Sequence, residues 1–213
     1  MRNPLRPFAY FTALTCAACL LLIIFIDQPL AQYIHQHAAR GIPFFLVLTK
    51  WSDIAHESLL TTHVLGLPVL YVGPAVAYLV GRWALRKKEA TLFLVLLLTH
   101  LCSIITANVL KGMVHRLRPE VLFSTGYQGA GFLATGPHND SFPSAHTASY
   151  FSLFLPLAVA FPRYRVSLLV LPVLIGLGRL VMGAHYLSDI WFSVWIAVAY
   201  TVLFGLLRGR RWA

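Results

Sequence analysis

Acidic residues are scarce in this chain: 7 Asp and Glu stand against 17 Lys and Arg, and charged residues make up only 11%. Soluble domains carry about 25% charged residues, so this composition excludes a molecule covered on all sides by water. Cysteine is nearly absent. Cys16, Cys19 and Cys102 all sit in apolar sequence, which argues against a disulfide framework or a cysteine metal site. Repeats and low-complexity tracts are missing as well, and with them solenoids and linker-joined arrays. No shift in composition sets off a soluble unit, so residues 1–213 read as one membrane domain.

What the chain has instead is apolar length. Hydrophobic residues reach 58% and the mean hydropathy is +0.72. A spanning helix needs about 20 mostly apolar residues, with a range of about 17–25. Uncharged runs at 8–26, 59–81, 90–110 and 190–207 meet that length. Residues 147–161 reach it if their helix starts near Ser144, and 166–184 qualify with Arg179 facing protein or water at the helix end. The expected fold is therefore an all-α polytopic membrane protein, a bundle of six transmembrane helices. The first run follows Arg2 and Arg6 without a small-residue cleavage pattern, so it reads as a retained helix and not as a leader. Residues 27–58 read as an outer loop whose short apolar run, 42–48, lies in the interface or on the bundle.

Lys and Arg concentrate on the cytoplasmic side of membrane proteins. With both termini in the cytoplasm, that side holds Arg2, Arg6, Arg82, Arg86, Lys87, Lys88, Arg163, Arg165, Arg208, Arg210 and Arg211, eleven of the 17 basic residues. The outer side keeps Arg40, Lys50, Lys111, Arg116, Arg118 and Arg179. The net charge of +10 is thus mostly topology. Basic residues scattered over separate loops form no continuous stripe, which argues against a nucleic-acid partner.

Three stretches fall on that outer face. In the first, Lys111 and Arg118 stand seven apart, nearly two turns if the helix continues, and would face one anion from one side; two separate interfacial anchors fit the same pair. In the second, Pro143-Ser144-Ala145-His146 opens an apolar helix whose free N–H groups suit an anion; a plain helix cap followed by an interfacial histidine is the alternative. In the third, His185 and Asp189 stand four apart, so the carboxylate would accept a hydrogen bond from one imidazole nitrogen and leave the other free to attack, with Arg179 as a further cation. A polar cluster that glues helices together is the rival there, although ionisable groups inside a bundle usually mark function. The glycine-rich stretch 119–141 reads as an irregular flap beside the site.

In order, these residues spell K-x6-R-P, P-S-A-H and R-x5-H-x3-D. That pattern resembles the three-part signature of the type 2 phosphatidic acid phosphatase superfamily. Two positions depart from it: Ala145 replaces a glycine and Gly178 a serine. The resemblance implies a membrane lipid phosphatase with its active site at the outer membrane face. His185, oriented by Asp189, would be the nucleophile that forms a phosphohistidine, and His146 the acid that protonates the departing lipid oxygen. Lys111, Arg118, Ser144 and Arg179 would hold the phosphoryl oxygens. No cofactor or metal is expected, vanadate is expected to mimic the transition state, and opposite protonation states of the two histidines imply a bell-shaped pH dependence.

The expected partners are a membrane lipid substrate and the lipid bilayer, with oligomeric state left open, and the expected location is a bacterial inner membrane with the site facing the periplasm. Phosphatidic acid, phosphatidylglycerol phosphate, undecaprenyl pyrophosphate and lipid A are the candidate substrates. A lipid-to-lipid phosphotransferase is the enzymatic rival. A transporter or flippase of anionic lipids is the non-enzymatic one, and it has no need of a His185–Asp189 pair. His35, His37, His56, His63, His100, His115 and Arg116 are left out of the site, with headgroup contact open for the last two and helix packing assigned to His63 and His100.

Overall fold

The computed structural model describes residues 5–38, 41–64, 66–127 and 129–208. Arg2, Arg40, Arg210 and Arg211, which enter the charge pattern above, lie outside them. Helix α1 (Leu5–Leu21) runs through a π-helical turn, Leu22–Ile26, into α2 (Asp27–His37), and α3 follows at Ile42–Thr61. The expected outer loop is therefore largely helical. Pro43 at the start of α3 supplies a pre-set φ where no amide donor is needed.

The run 59–81 does not form one helix. After α3 the chain makes a two-residue antiparallel hairpin, β1 (His63–Val64) with β2 (Leu67–Pro68), around Gly66 at φ +78°, and only then enters α4 (Val69–Leu79). Glycine takes that left-handed conformation without a Cβ clash. His63 accordingly lies in an exposed strand and not in a span.

Helix α5 (Thr91–Val114) is followed by a short α6 (Pro119–Thr125), then α7 (Ala145–Ala160), α8 (Arg165–Val181) and α9 (Leu187–Gly205). Four helical stretches are long and apolar enough to cross a membrane: Arg6–His37, Lys88–Thr125, Pro162–Val181 and Leu187–Gly205. Val69–Ala84 and Ala145–Ala160 are apolar but shorter. The centre of the molecule is α5, α7 and α9 packed on one another, with α8 against α7, α1 against α9, and α3 and α4 outside α8 and α5. Small and hydroxylic residues dominate these seams: Ala107, Ala148, Ala197, Thr99, Ser103, Ser152 and Ser193 are all buried. Such residues let helix backbones approach closely where hydrophobic driving force between helices is weak.

Candidate active site

The first motif breaks where one continuous helix was expected. α5 stops at Val114 and His115 turns left-handed at φ 45°, so Arg118 leaves the helix that carries Lys111. Residues 114–118 are instead laced to the flap, with backbone N–H groups of Leu117, Arg118, Leu133, Ala134 and Ser141 donating across to Gly131, His138, Val114, His115 and Arg116. The flap is thereby tied to the motif. Lys111 and Arg118 still meet, on Asp140: Lys111 Nζ donates to its backbone carbonyl and lies 3.7 Å from Oδ2, which Arg118 Nη2 contacts at 2.8 Å. Burial pushes the Asp140 carboxyl up, but the Arg118 hydrogen bond and the Lys111 charge outweigh it and hold it below the usual range.

Ser144 caps α7, accepting from Thr147 N at 3.4 Å and from Thr147 Oγ1 at 2.9 Å. Two incoming donors leave its own hydroxyl hydrogen free for an acceptor. Two residues further, His146 Nε2 sits 3.1 Å from Asp53 Oδ1 of α3, a partner that the sequence did not suggest.

The third motif turns sharply. Gly183 (φ +67°) reverses the chain after α8, and any Cβ there would meet the Phe123 ring at 2.8 Å. The amides of Ala184 and His185 then bond back to the Arg179 carbonyl, which brings His185 beside Arg179. Arg179 is buried, and its Nε has no hydrogen-bond partner among the described residues.

His185 is fully buried, and its orientation differs from expectation. Nδ1 lies 2.6 Å from the Ser141 carbonyl, whereas Asp189 Oδ2 is 3.9 Å away. Asp189 is occupied elsewhere: it accepts from Arg116 Nη1, from Ser141 Oγ at 2.6 Å and from the Tyr186 amide at 2.8 Å. A carbonyl oxygen only accepts, so in a neutral imidazole the proton is on Nδ1 and the lone pair is on Nε2. Burial, with the positive charges of Lys111, Arg179 and Arg118, drives the His185 pKa well below its ordinary value, against the opposing Ser141 hydrogen bond. Burial thus favours the neutral ring.

Arg116 is no headgroup contact. It is 1% exposed and bridges Asp27 (2.8 Å) and Asp189, with its guanidinium over the Phe132 and Tyr186 rings. Buried pairs of this kind lose about 3–5 kcal/mol when one partner is removed, so Arg116 and Asp27 frame the site from behind. The sequence signal was present: an Asp at the end of a long apolar run and an arginine inside a motif, each expensive unless paired.

The seven expected residues thus share one neighbourhood, with three cations acting on His185, and no cluster suited to a metal occurs among the described residues. Beside them, a cavity of ≈ 580 Å³ opens between α3, α4, α5 and α7, lined by Trp51, Tyr71, Leu97, Tyr150, Phe154 and Leu157 among others. It begins one helical turn beyond His146.

The PAP2 superfamily profile matches residues 90–213, more than half of the chain, and the chain belongs to that family. It is 33% identical over 102 residues to the lipid A 1-phosphatase of Rhizobium etli, covering 44% of each chain. It is also 32% identical over 113 residues to the lipid A 1-phosphatase of Rhizobium johnstonii, covering 49% of this chain and 46% of that protein. The chain thus spans less than half the length of the curated relatives it matches. No solved structure matches it.

Proposed function

We propose that the chain is a membrane lipid phosphatase that removes a terminal phosphate from a lipid phosphate or pyrophosphate through a phosphohistidine at His185, without metal. In this reading six spans cross a bacterial inner membrane, both termini lie in the cytoplasm and the site faces the periplasm. The observation that carries the chemistry is the Nδ1 contact of His185 with the Ser141 carbonyl, which leaves Nε2 as an unprotonated nucleophile beside three cations.

Nε2 attacks phosphorus, the bond from phosphorus to the lipid oxygen breaks, and His146 gives that oxygen its proton. Lys111, Arg118 and Arg179 neutralise the charge spread over the phosphoryl oxygens, and Ser144 donates its free hydroxyl hydrogen. Water, its proton taken by His146, then releases phosphate from His185. The apolar cavity below His146 takes an acyl chain of the departing lipid. The name of the relatives puts lipid A first among the substrates to test.

The test is phosphate release by purified protein from phosphatidic acid, phosphatidylglycerol phosphate, undecaprenyl pyrophosphate and lipid A with EDTA present, against His185→Ala. Turnover that survives EDTA and disappears in the variant is expected. EDTA-sensitive release, or undiminished turnover in His185→Ala, overturns the mechanism.

A further inference from the structure

Helix α3 lies outside all three motifs, yet four of its polar residues form one stripe. Thr49, Ser52, Asp53 and His56 recur at helical spacing in an otherwise largely apolar segment, so they share one face. Three of them grip the first turns of α7. The Tyr150 hydroxyl donates to the Ser52 carbonyl at 2.6 Å, His56 Nε2 lies 2.9 Å from Ser149 Oγ, and between them Asp53 Oδ1 stands 3.1 Å from His146 Nε2. Thr49 Oγ1 points the other way along the stripe, to Met182 Sδ at 3.7 Å on the turn that follows α8.

We propose that Asp53 is the positioning residue of His146: it holds Nε2–H and leaves Nδ1 as the nitrogen that delivers the proton to the departing lipid oxygen. This rests on the lipid phosphatase reading above. Exposed carboxylate–histidine pairs are ordinarily worth little, because two mobile side chains must be ordered. Here the Ser52–Tyr150 and His56–Ser149 contacts, which flank Asp53 along α3, tie that helix to α7 within a turn of His146, so the carboxylate meets the ring across helices already joined.

The proton balance closes through both half-reactions. The imidazolium carries Nε2–H on Asp53 and Nδ1–H on the leaving oxygen. As the bond from phosphorus to oxygen breaks, the Nδ1 proton moves to that oxygen and the ring becomes neutral with Nε2–H still on Asp53. In hydrolysis Nδ1 takes a proton from water, and the cycle is restored. Asp189 cannot serve this role, because Arg116, Ser141 and Tyr186 occupy it.

The experiment uses the full chain in detergent micelles and compares two substrates. One is the better lipid phosphate monoester of phosphatidic acid and lipid A, whose alkoxide or sugar oxygen needs protonation; the other is p-nitrophenyl phosphate, whose leaving group does not. Asp53→Asn is expected to lower kcat/KM about 10–100-fold on the lipid and less than about threefold on the aryl ester, within the range of general acid catalysis. Asp53→Glu, which keeps the carboxylate, is expected to recover part of the loss. His146→Ala should show the same spread between substrates, only larger. Equal losses on both substrates, or none on the lipid, in Asp53→Asn would overturn the assignment while the His146→Ala spread leaves the phosphatase reading standing. Absence of phosphate release from either substrate by wild type would overturn that reading and this one with it.

Discussion

His185 Nδ1 donates to the Ser141 carbonyl at 2.6 Å, and the Ser141 hydroxyl donates to Asp189 at 2.6 Å, so the aspartate reaches the histidine through the serine. The same Asp189 shares Arg116 with Asp27. Its contribution is therefore in large part structural, and orientation of the ring belongs to a backbone group that no side-chain substitution removes.

Asp189→Ala leaves a buried guanidinium with one carboxylate in place of two. Removing one member of a buried ionic cluster costs about 3–5 kcal/mol, and thermal unfolding in detergent should show a clear fall in Tm along with lost activity. Ser141→Ala keeps the carbonyl and loses one hydrogen bond, worth about 1 kcal/mol, so phosphate release should fall less than about tenfold. An Asp189→Ala protein that melts like wild type would show that the cluster carries no stability.

Which parts of this were readable beforehand follows from the range of each interaction. The apolar runs 8–26, 90–110 and 190–207 and the capping role of Ser144 are local, and spacing suffices for them. The partners of His146 and His185 come from residues 93 and 44 positions away, Asp53 and Ser141, and no spacing rule reaches that far. One helix does not run across Lys111 and Arg118, because His115 takes a left-handed conformation with its carbonyl and neighbouring groups bonded to the flap. The outer loop failed for a different reason: Asp27 looked like a helix end by charge, whereas Arg116 neutralises it and the helix continues.

The pH response follows from His185. Its folded pKa lies well below the ordinary value of about 6.5, so the imidazole that the proposed function makes the nucleophile stays neutral as pH drops through that value. The acidic limb of kcat/KM should therefore fall well below pH 6.5. Stability runs the same way: below about 6.5 the unfolded chain binds a proton that the folded chain refuses, so ΔG of unfolding falls as pH falls from there toward the folded pKa. Parallel pH series of activity and Tm check both. An acidic limb at or above 6.5 would contradict the buried neutral ring.

Asp140 places a carboxylate where Lys111 and Arg118 converge, the position that the proposed function gives to a phosphoryl oxygen. Substrate and product must therefore compete with it. Asp140→Ala should tighten inhibition by orthophosphate and by vanadate about 3–10-fold, the scale of one partly exposed charge pair of about 1 kcal/mol, and the gain should shrink at high salt. Inhibition constants measured at two ionic strengths decide it. Weaker inhibition in the variant would mean that Asp140 aligns the cations for phosphate instead of competing with it.

In the proposed function, Arg179 sets stability against catalysis. Its guanidinium is buried with Nε unpartnered, an arrangement that is unfavourable until an anion arrives. Arg179→Met removes the buried guanidinium with its unpartnered Nε–H and keeps an apolar stem of similar length. The variant should melt at a higher temperature than wild type while kcat/KM falls at least about 10²-fold, as for loss of one transition-state donor. Vanadate should raise the Tm of wild type, since a ligand that binds only the folded state stabilises it, and should have a smaller effect on the variant. Arg179→Lys restores charge without the planar fork and should recover vanadate stabilisation more than turnover. A lower Tm in Arg179→Met, with activity retained, would assign this arginine to the scaffold.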